Sequence, residues 1–476
     1  MSVVPLQPLF VYLRSTCQPE NRGAEMPICG NQSQIFYRAA LLLCALMLLV
    51  LVWPSRLQAE VLAAWVELVG QNNSSIRVIV SAEDTCPAIL VDGESRQMQV
   101  RAEPGPIFPA GDSPPSARFP VRVCEMTAPR GPSNILLEGK RLPLPVAELR
   151  RIVVFGDTGC RIKRDKPIQN CNDPDEWPYA MLVKRAVEAQ PDLVIHVGDY
   201  LYRESCDERS AKCRGLLTGY GWDVWNADFF RPSGDLMRTA PWLMARGNHE
   251  SCERGADGWF RILYHAGLDA KCPETSPLFI AGVGDLGFVV LDSAAVADSR
   301  IIDDDDDETL SPQATSVVEN IRSQYLAVAP SIPKSAWLIT HVPLGGIRVD
   351  KATNEVGVDN PDLDRAIGDI LGPDIALIIS GHIHLFEAIT FSETNLRRHP
   401  PQLVVGTGGD HLAEQPKPPT ELDGNPVARA LILKKFGYML WDRDGALWNG
   451  KLFDKEGALL AQCALTETYL TCADKQ

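Results

Sequence analysis

The chain contains no Cys-x-x-Cys pair, and its one long uncharged run is shorter than the about 20 residues that a membrane-spanning helix needs. The first absence argues against a structural zinc cage, which draws on paired thiolates. Basic charge is also in short supply. The 476 residues hold 46 Lys+Arg against 61 Asp+Glu, a net charge of −15. No nucleic-acid partner is expected, because a phosphate backbone calls for a net basic face. A small phosphorylated substrate remains open, since a bound cation can outweigh the global balance locally. What is present is ordinary: 45% hydrophobic and 22% charged residues. That composition excludes disorder, collagen and coiled coil as the main architecture. The length predicts two or three domains.

The long uncharged run is Ala39–Pro54, flanked by Arg38 and Arg56 and followed by the small residue Ala59. A basic flank, an apolar core and a small residue make a secretory signal, with an uncleaved membrane anchor as the alternative. Nothing amphipathic flanks the run, so a buried core helix is disfavoured. Glu20 and Glu25 precede it, and Met26 would begin a more ordinary signal peptide. Residues 1–59 are therefore read as signal peptide or anchor, with translation starting at Met26. The mature protein is expected to be periplasmic or secreted, or held at a membrane by this segment. Removing residues 1–59 takes away Arg14, Arg22, Arg38, Arg56, Glu20 and Glu25, and moves the net charge to −17. It also removes Cys17, Cys29 and Cys44 and leaves ten cysteines. An even number in an exported chain reads as disulfides. Spacing suggests the neighbouring pairs 86–124, 160–171, 206–213, 252–272 and 463–472, though spacing alone does not prove connectivity.

Residues 60–148 read as an accessory β-sandwich domain, with candidate strands at 75–80, 98–101 and 119–124 separated by Pro- and Gly-rich stretches. At Arg151 the texture changes to continuous apolar runs alternating with helical stretches. Strands are predicted at 152–155, 193–197, 242–245, 288–291, 336–340, 375–379 and 403–405, and helices at 178–189, 313–328 and 362–371. This alternation predicts an α/β layered core over 149–436. Residues 437–476 return to short strands that pack on the core or on the accessory domain. No internal repeat is present. The acidic run Asp303–Glu308 is a solvated loop or a calcium site.

Five short motifs carry the chemistry. They are Gly156-Asp157-Thr158-Gly159, Gly198-Asp199-Tyr200-Leu201-Tyr202, Gly247-Asn248-His249-Glu250, Leu338-Ile339-Thr340-His341 and Gly381-His382-Ile383-His384. Each ends or follows an apolar run and supplies an oxygen or imidazole ligand, at the strand ends where open α/β sheets place their ligands. Glycine beside the ligand lets the backbone turn sharply. Singly these signals are weak, because a lone Gly-Asp is ordinarily a turn and an Asn-His a cap. Together they are specific: four of the eight histidines lie inside them, and His196 lies three residues from Asp199. Mixed O and N donors suit Fe, Mn or Zn, and a two-metal site needs a shared anionic bridge.

This ordered set resembles the calcineurin-like metallophosphoesterase superfamily, and within it the purple acid phosphatase branch. Many members carry Asp-x-His in the first motif, where this chain has Asp157-Thr158-Gly159. The branch instead supplies a tyrosinate from Gly-Asp-x-x-Tyr, matched by Gly198 to Tyr202. Its Val-x-x-His is matched loosely, with Leu338 for Val and His341 retained. The resemblance covers about residues 150–410. It implies an αββα sandwich of two sheets flanked by helices. It also implies that Asp157, Tyr202 and His384 bind a first metal, Fe(III), that Asp199 bridges, and that Asn248, His341 and His382 bind a second, Zn, Fe(II) or Mn. His249 would orient the phosphoryl group or protonate the leaving alkoxide during in-line attack by a metal-bound hydroxide.

The expectation is an exported dinuclear phosphatase acting on phosphate monoesters. The alternatives are a phosphodiesterase or nucleotide hydrolase on the same site, and a non-catalytic cell-surface binding protein that keeps the fold as a scaffold. Several residues keep two readings. His196 is a partner of a ligand or a satisfied core histidine. Arg203 and Arg254 hold a phosphate ester or are solvated loop residues. Trp222, Trp225 and Trp259 line a cleft or pack in the core. His265, His399 and His411 are expected on surface or loops, and Cys160 and Cys252 are expected in disulfides rather than on a metal.

Overall fold

Strands with apolar side chains on both faces demand cover on both faces, and the chain provides it with two sheets packed together and helices outside. The computed structural model describes residues 59–475 apart from 109–116, 132, 165, 208, 269–270, 299–311, 350–355, 359, 393–398, 423 and 468. The apolar run 39–54 and the acidic run 303–308 lie outside the described residues. Among those described, no helix is long and apolar enough to cross a membrane.

The first sheet has eleven strands. At its centre Arg151–Phe155, Leu193–His196 and Trp242–Met244 run parallel. The C-terminal strands Tyr438–Asp444, Leu447–Phe453, Leu459–Thr466 and Tyr469–Asp474 extend it on one side, the first of them antiparallel to Arg151–Phe155. On the other side Val61–Gly70 pairs parallel with Trp242–Met244, at Glu67 opposite Trp242, and brings Asn73–Ser81, Val121–Thr127 and Gln99–Ala102 into the same sheet. A four-stranded sheet built around Ala88–Val91 and Ile135–Leu137 covers that end. Ile76, Val78, Val80, Ile89, Val91 and Ile135 form the apolar layer between the two, so the N-terminal region is a small β sandwich with one layer continuous with the first sheet.

The second sheet has eight strands, with Leu286–Val290, Ala336–Ile339, Ile375–Ser380 and Gln402–Val405 parallel. The period of two along each strand sorts the side chains. Ile152, Val154, Ile195, Trp337, Ile339, Leu377 and Ile379 meet in the core between the sheets. Val153, Phe155 and Val194 face outward under the helix Tyr179–Glu188 and the aromatic segment Trp222–Met237. Leu338 and Ile378 face the other way, under the helices Pro312–Val328 and Asp362–Ile367. The fold is an α/β sandwich of two sheets between helical layers, with the N-terminal β region beside it. All five cysteine pairs suggested by spacing are joined: 86–124, 160–171, 206–213, 252–272 and 463–472.

Candidate active site

All five motifs leave the C-terminal ends of central parallel strands, three from the first sheet and two from the second. Their backbones are bent to bring side chains together. Asp157, Asp199 and His382 sit in the left-handed region at φ 57°, 58° and 69°. Such conformations are costly for non-glycine residues and cluster at functional sites. Cross-loop bonds hold the bends. Asp157 N–H donates to the Gly198 carbonyl (3.1 Å), Thr158 N–H to that of Asp199 (3.0 Å), and Gly381 N–H to that of His341 (2.9 Å). Gly247 packs against the Asp199 carboxylate so closely that a Cβ there has no room.

Two groups of donors result. In the first, the Tyr202 hydroxyl donates to Asp199 Oδ2 at 2.6 Å and lies 2.9 Å from Asp157 Oδ1 and 3.0 Å from His384 Nε2. Ligand atoms of Asp157, Asp199 and His384 all lie within 4.8 Å of one another. In the second, Asn248 Oδ1 stands 3.0 Å from His341 Nε2 and 3.2 Å from His382 Nδ1. His341 Nε2 is also 3.3 Å from Asp199 Oδ2, so Asp199 belongs to both groups. His341 Nδ1 lies 2.8 Å from the Val197 carbonyl oxygen, an acceptor only, which puts a hydrogen on Nδ1 and aims Nε2 into the site.

These separations fit a pair of cations. Ligands about 2.1 Å from one ion stand ~3 to 3.4 Å from each other; the second group shows 3.0 to 3.3 Å and the first 2.6 to 3.3 Å, close to that spacing. Burial alone would lower the His341 pKa, but the Asp199 carboxylate outweighs it and holds the ring up to about 10. Burial opposes the Asp199 charge as well, and the His341 and His249 rings nonetheless keep its pKa well below the usual range. An anionic cluster buried this deeply asks for positive charge beside it.

A further set of residues supports these donors. Glu250 accepts the backbone N–H groups of Asp199 (3.0 Å), Tyr200 (3.0 Å) and Gly247 (3.1 Å), tying two loops together. Burial first, and the Asp199 charge second, raise its pKa to about 8. His196 lies 3.0 Å from Thr158 Oγ1 through Nε2 and accepts Gly198 N–H at Nδ1 (3.2 Å). It is a fully buried ring, and it braces the loops of Asp157 and Asp199 without touching either carboxylate. His249, whose N–H donates to Asp199 Oδ1 (2.9 Å), has Glu204 Oε1 3.1 Å from its Nδ1. Glu204 is in turn paired with Lys163 (2.8 Å) and approached by Arg254 (3.6 Å). Burial lowers the His249 pKa to about 4, against the pull of Asp199 and Glu204.

The donors open onto a pocket of about 690 Å³. Tyr202, Asn248, His249, His382 and His384 form its floor, and the cations Arg161, Lys163, Lys166 and Arg348 line its walls. The structure decides among the open readings. Trp222, Trp225 and Trp259 are buried in the aromatic core and none lines the pocket. Arg203 is buried in a salt bridge with Asp228 (2.5 Å), so it is neither a phosphate ligand nor a solvated residue. Cys160 and Cys252 are disulfide-bonded. His399, expected on a surface or loop, lies in a loop but is 4% exposed, packed beside Phe391 and 3.6 Å from Asp364. His265 is half-buried against Phe279, and His411 is exposed at the pocket.

Two residues beside these donors belong to no motif recognised in the sequence. Asp410 lies 3.2 Å from His384 Nδ1, and Arg161 pairs with it. A signal was there to read. Leu403–Val405 is an apolar run followed by Gly406-Thr407-Gly408-Gly409-Asp410, the same order of strand, glycine and carboxylate that marks Asp157 and Asp199.

The calcineurin-like phosphoesterase family profile matches residues 150–386. Curated proteins provide no match. Among solved structures, a purple acid phosphatase from yellow lupin (Lupinus luteus) seeds aligns with a TM-score of 0.51 and 15% identity, over 83% of this chain and 72% of that one. A PhoD structure aligns with a TM-score of 0.51 and 11% identity, over 87% of this chain and 92% of that one. These likenesses concern the fold. The family match spans every strand-end loop of the five motifs, and the chain accordingly belongs to the calcineurin-like phosphoesterases, hydrolases of the metallophosphoesterase type.

Proposed function

We propose that this protein is an exported phosphatase that uses two metal ions to hydrolyse phosphate monoesters. The observation that carries the reading is the meeting of seven O and N donors from five loops, of which one carboxylate, Asp199, is common to both groups, with His249 alongside. In this reading Asp157, Tyr202 and His384 hold Fe(III), Asn248, His341 and His382 hold Zn, Fe(II) or Mn, and Asp199 serves both. Bound there, the cations would neutralise phosphoryl charge and lower the pKa of water.

The chain's own residues do the rest. None of the described residues lining the pocket is Ser, Thr or Cys, which supports direct attack by water over a covalent route through those side chains. Asn248 and the strand-end backbones fix where the phosphoryl group can sit. Glu204 stands behind the His249 ring at Nδ1 and Nε2 faces Asp199, where it would orient the ester or, when the ring is protonated at acid pH, give a proton to the leaving oxygen. The cationic walls suit an anionic substrate. Five disulfides support an exported chain.

The test is metal analysis together with hydrolysis of para-nitrophenyl phosphate. Two metals per chain, and turnover abolished in Asp199→Ala, are the expected results. A soundly folded protein that takes up no metal would instead be a scaffold. A panel of monoesters, diesters and nucleotides, run side by side, tests the substrate class.

A further inference from the structure

The loop Gly406–His411 lies beyond the five motifs, yet it sets a buried carboxylate against one of their histidines. We propose that Asp410, locked by Arg161, is a positioning residue for His384. It fixes the ring so that Nε2 faces Asp157 and Tyr202, and thereby sets how firmly that group holds a cation. The inference rests on the two-metal reading above.

The geometry runs through both ring nitrogens. His384 Nδ1 lies 3.2 Å from Asp410 Oδ2 and 3.0 Å from the His411 carbonyl oxygen. A carbonyl accepts only, as does an ionised carboxylate, so Nδ1 carries the hydrogen and Nε2 is left with its lone pair. Nε2 points to the first donor group, 3.0 Å from the Tyr202 hydroxyl and 3.3 Å from Asp157 Oδ1. Arg161 donates to Asp410 Oδ2 through Nε at 3.1 Å and through a shorter Nη2 contact. A guanidinium only donates, so Arg161 Nη2, 3.2 Å from Nδ1, makes no bond to a protonated Nδ1 and is held beside the ring by its bonds to Asp410 Oδ2.

The carboxylate is fixed relative to the first ligand. Asp410 N–H donates to the carbonyl of Asp157 (2.9 Å), and Gly408 N–H to that of Gly156 (2.9 Å). Gly409 packs on the Thr158 carbonyl with no room for a Cβ, and its own carbonyl accepts from Gln169 Nε2 (3.0 Å). Asp410 is fully buried, whereas Arg161 is partly open to the pocket. A carboxylate buried at this depth is costly unless its partners stay in place, so the arrangement resists rotation of the His384 ring.

The experiment compares Asp410→Ala, Asp410→Asn and Arg161→Ala with the full-length wild type. Asparagine keeps an oxygen that accepts from Nδ1–H, and alanine removes it. Iron and zinc binding are measured by equilibrium titration and elemental analysis, and the tyrosinate-to-iron absorption band by visible spectroscopy. Circular dichroism checks the fold. Asp410→Ala should weaken binding of one metal about 10- to 100-fold and lose or shift the band. Asp410→Asn should lie closer to wild type, and Arg161→Ala should weaken the same metal. If Asp410→Ala does not fold, the other two variants decide. Wild-type affinity and an unshifted band in folded Asp410→Ala, or in both remaining variants, overturn the positioning role and leave the two-metal reading standing. A wild type that takes up no metal overturns that reading, and this inference falls with it.

Discussion

His249 and Glu204 show what single residues add beside the two donor groups. His249 touches Asp199 through its backbone N–H, and its ring is backed by a buried carboxylate. His249→Ala should lower kcat by about 10²- to 10⁴-fold, the usual contribution of a positioned acid. Metal content should stay at the wild-type level, because the ring supplies no donor to either group. Glu204→Gln should have a smaller effect on kcat, since an amide still fills the space behind Nδ1. Steady-state kinetics and elemental analysis of both variants check this, and loss of metal from His249→Ala would make the ring a ligand instead. At this scale the sequence was largely readable: every ligand candidate lies within four residues of a glycine or at the end of an apolar run. Glu204 was not, because a carboxylate two residues beyond Tyr202 carries no pattern of its own.

At the scale of elements, the long apolar strands and the amphipathic helix Tyr179–Glu188 lie where periodicity places them. The segment Trp222–Met237 does not reveal itself, because its aromatics crowd one short stretch and leave no clear stripe. It packs Trp225 against Tyr200, at a ring-centroid distance of 5.8 Å, and Tyr200 stacks on His196 at 4.0 Å. Trp225→Ala should therefore cost about 3–5 kcal/mol of stability through the cavity it leaves. KM for a small monoester should not change in the fraction that folds. Urea unfolding and kinetics check the pair of outcomes. Altered KM at undiminished stability would return Trp225 to the cleft.

At the scale of the whole molecule, the strands Val61–Gly70 and Asn73–Ser81, which belong both to the N-terminal β region and to the first sheet, carry a buried charge pair. Glu67 and Arg77 are 3.2 Å apart, Trp65 Nε1 donates to Glu67 (3.3 Å), and Arg77 reaches the Tyr264 carbonyl (2.7 Å). Burial raises the Glu67 pKa from 4.5 to about 7, against the pull of Arg77. A folded-state pKa above the unfolded one gives stability that is full below about 4.5 and lost as pH rises through about 7. Wild-type stability should thus fall relative to Glu67→Gln as pH rises across that window. Denaturant unfolding of the two proteins at several pH values measures the slope, and parallel curves would contradict it.

The sequence by itself determined the layered α/β class, the alternation that sorts side chains between core and helix layers, and the ligand candidates, and it suggested the five cysteine pairs that the structure joins. These depend on local spacing, on turn chemistry and on which side chains can donate to a metal, all written along the chain. Only the tertiary structure decided that loops from two different sheets meet at Asp199, that the tryptophans face the core, and that Asp410 reaches His384. These are contacts between residues far apart in sequence, set by strand pairing and by the packing of one sheet on the other. No local pattern encodes that distance.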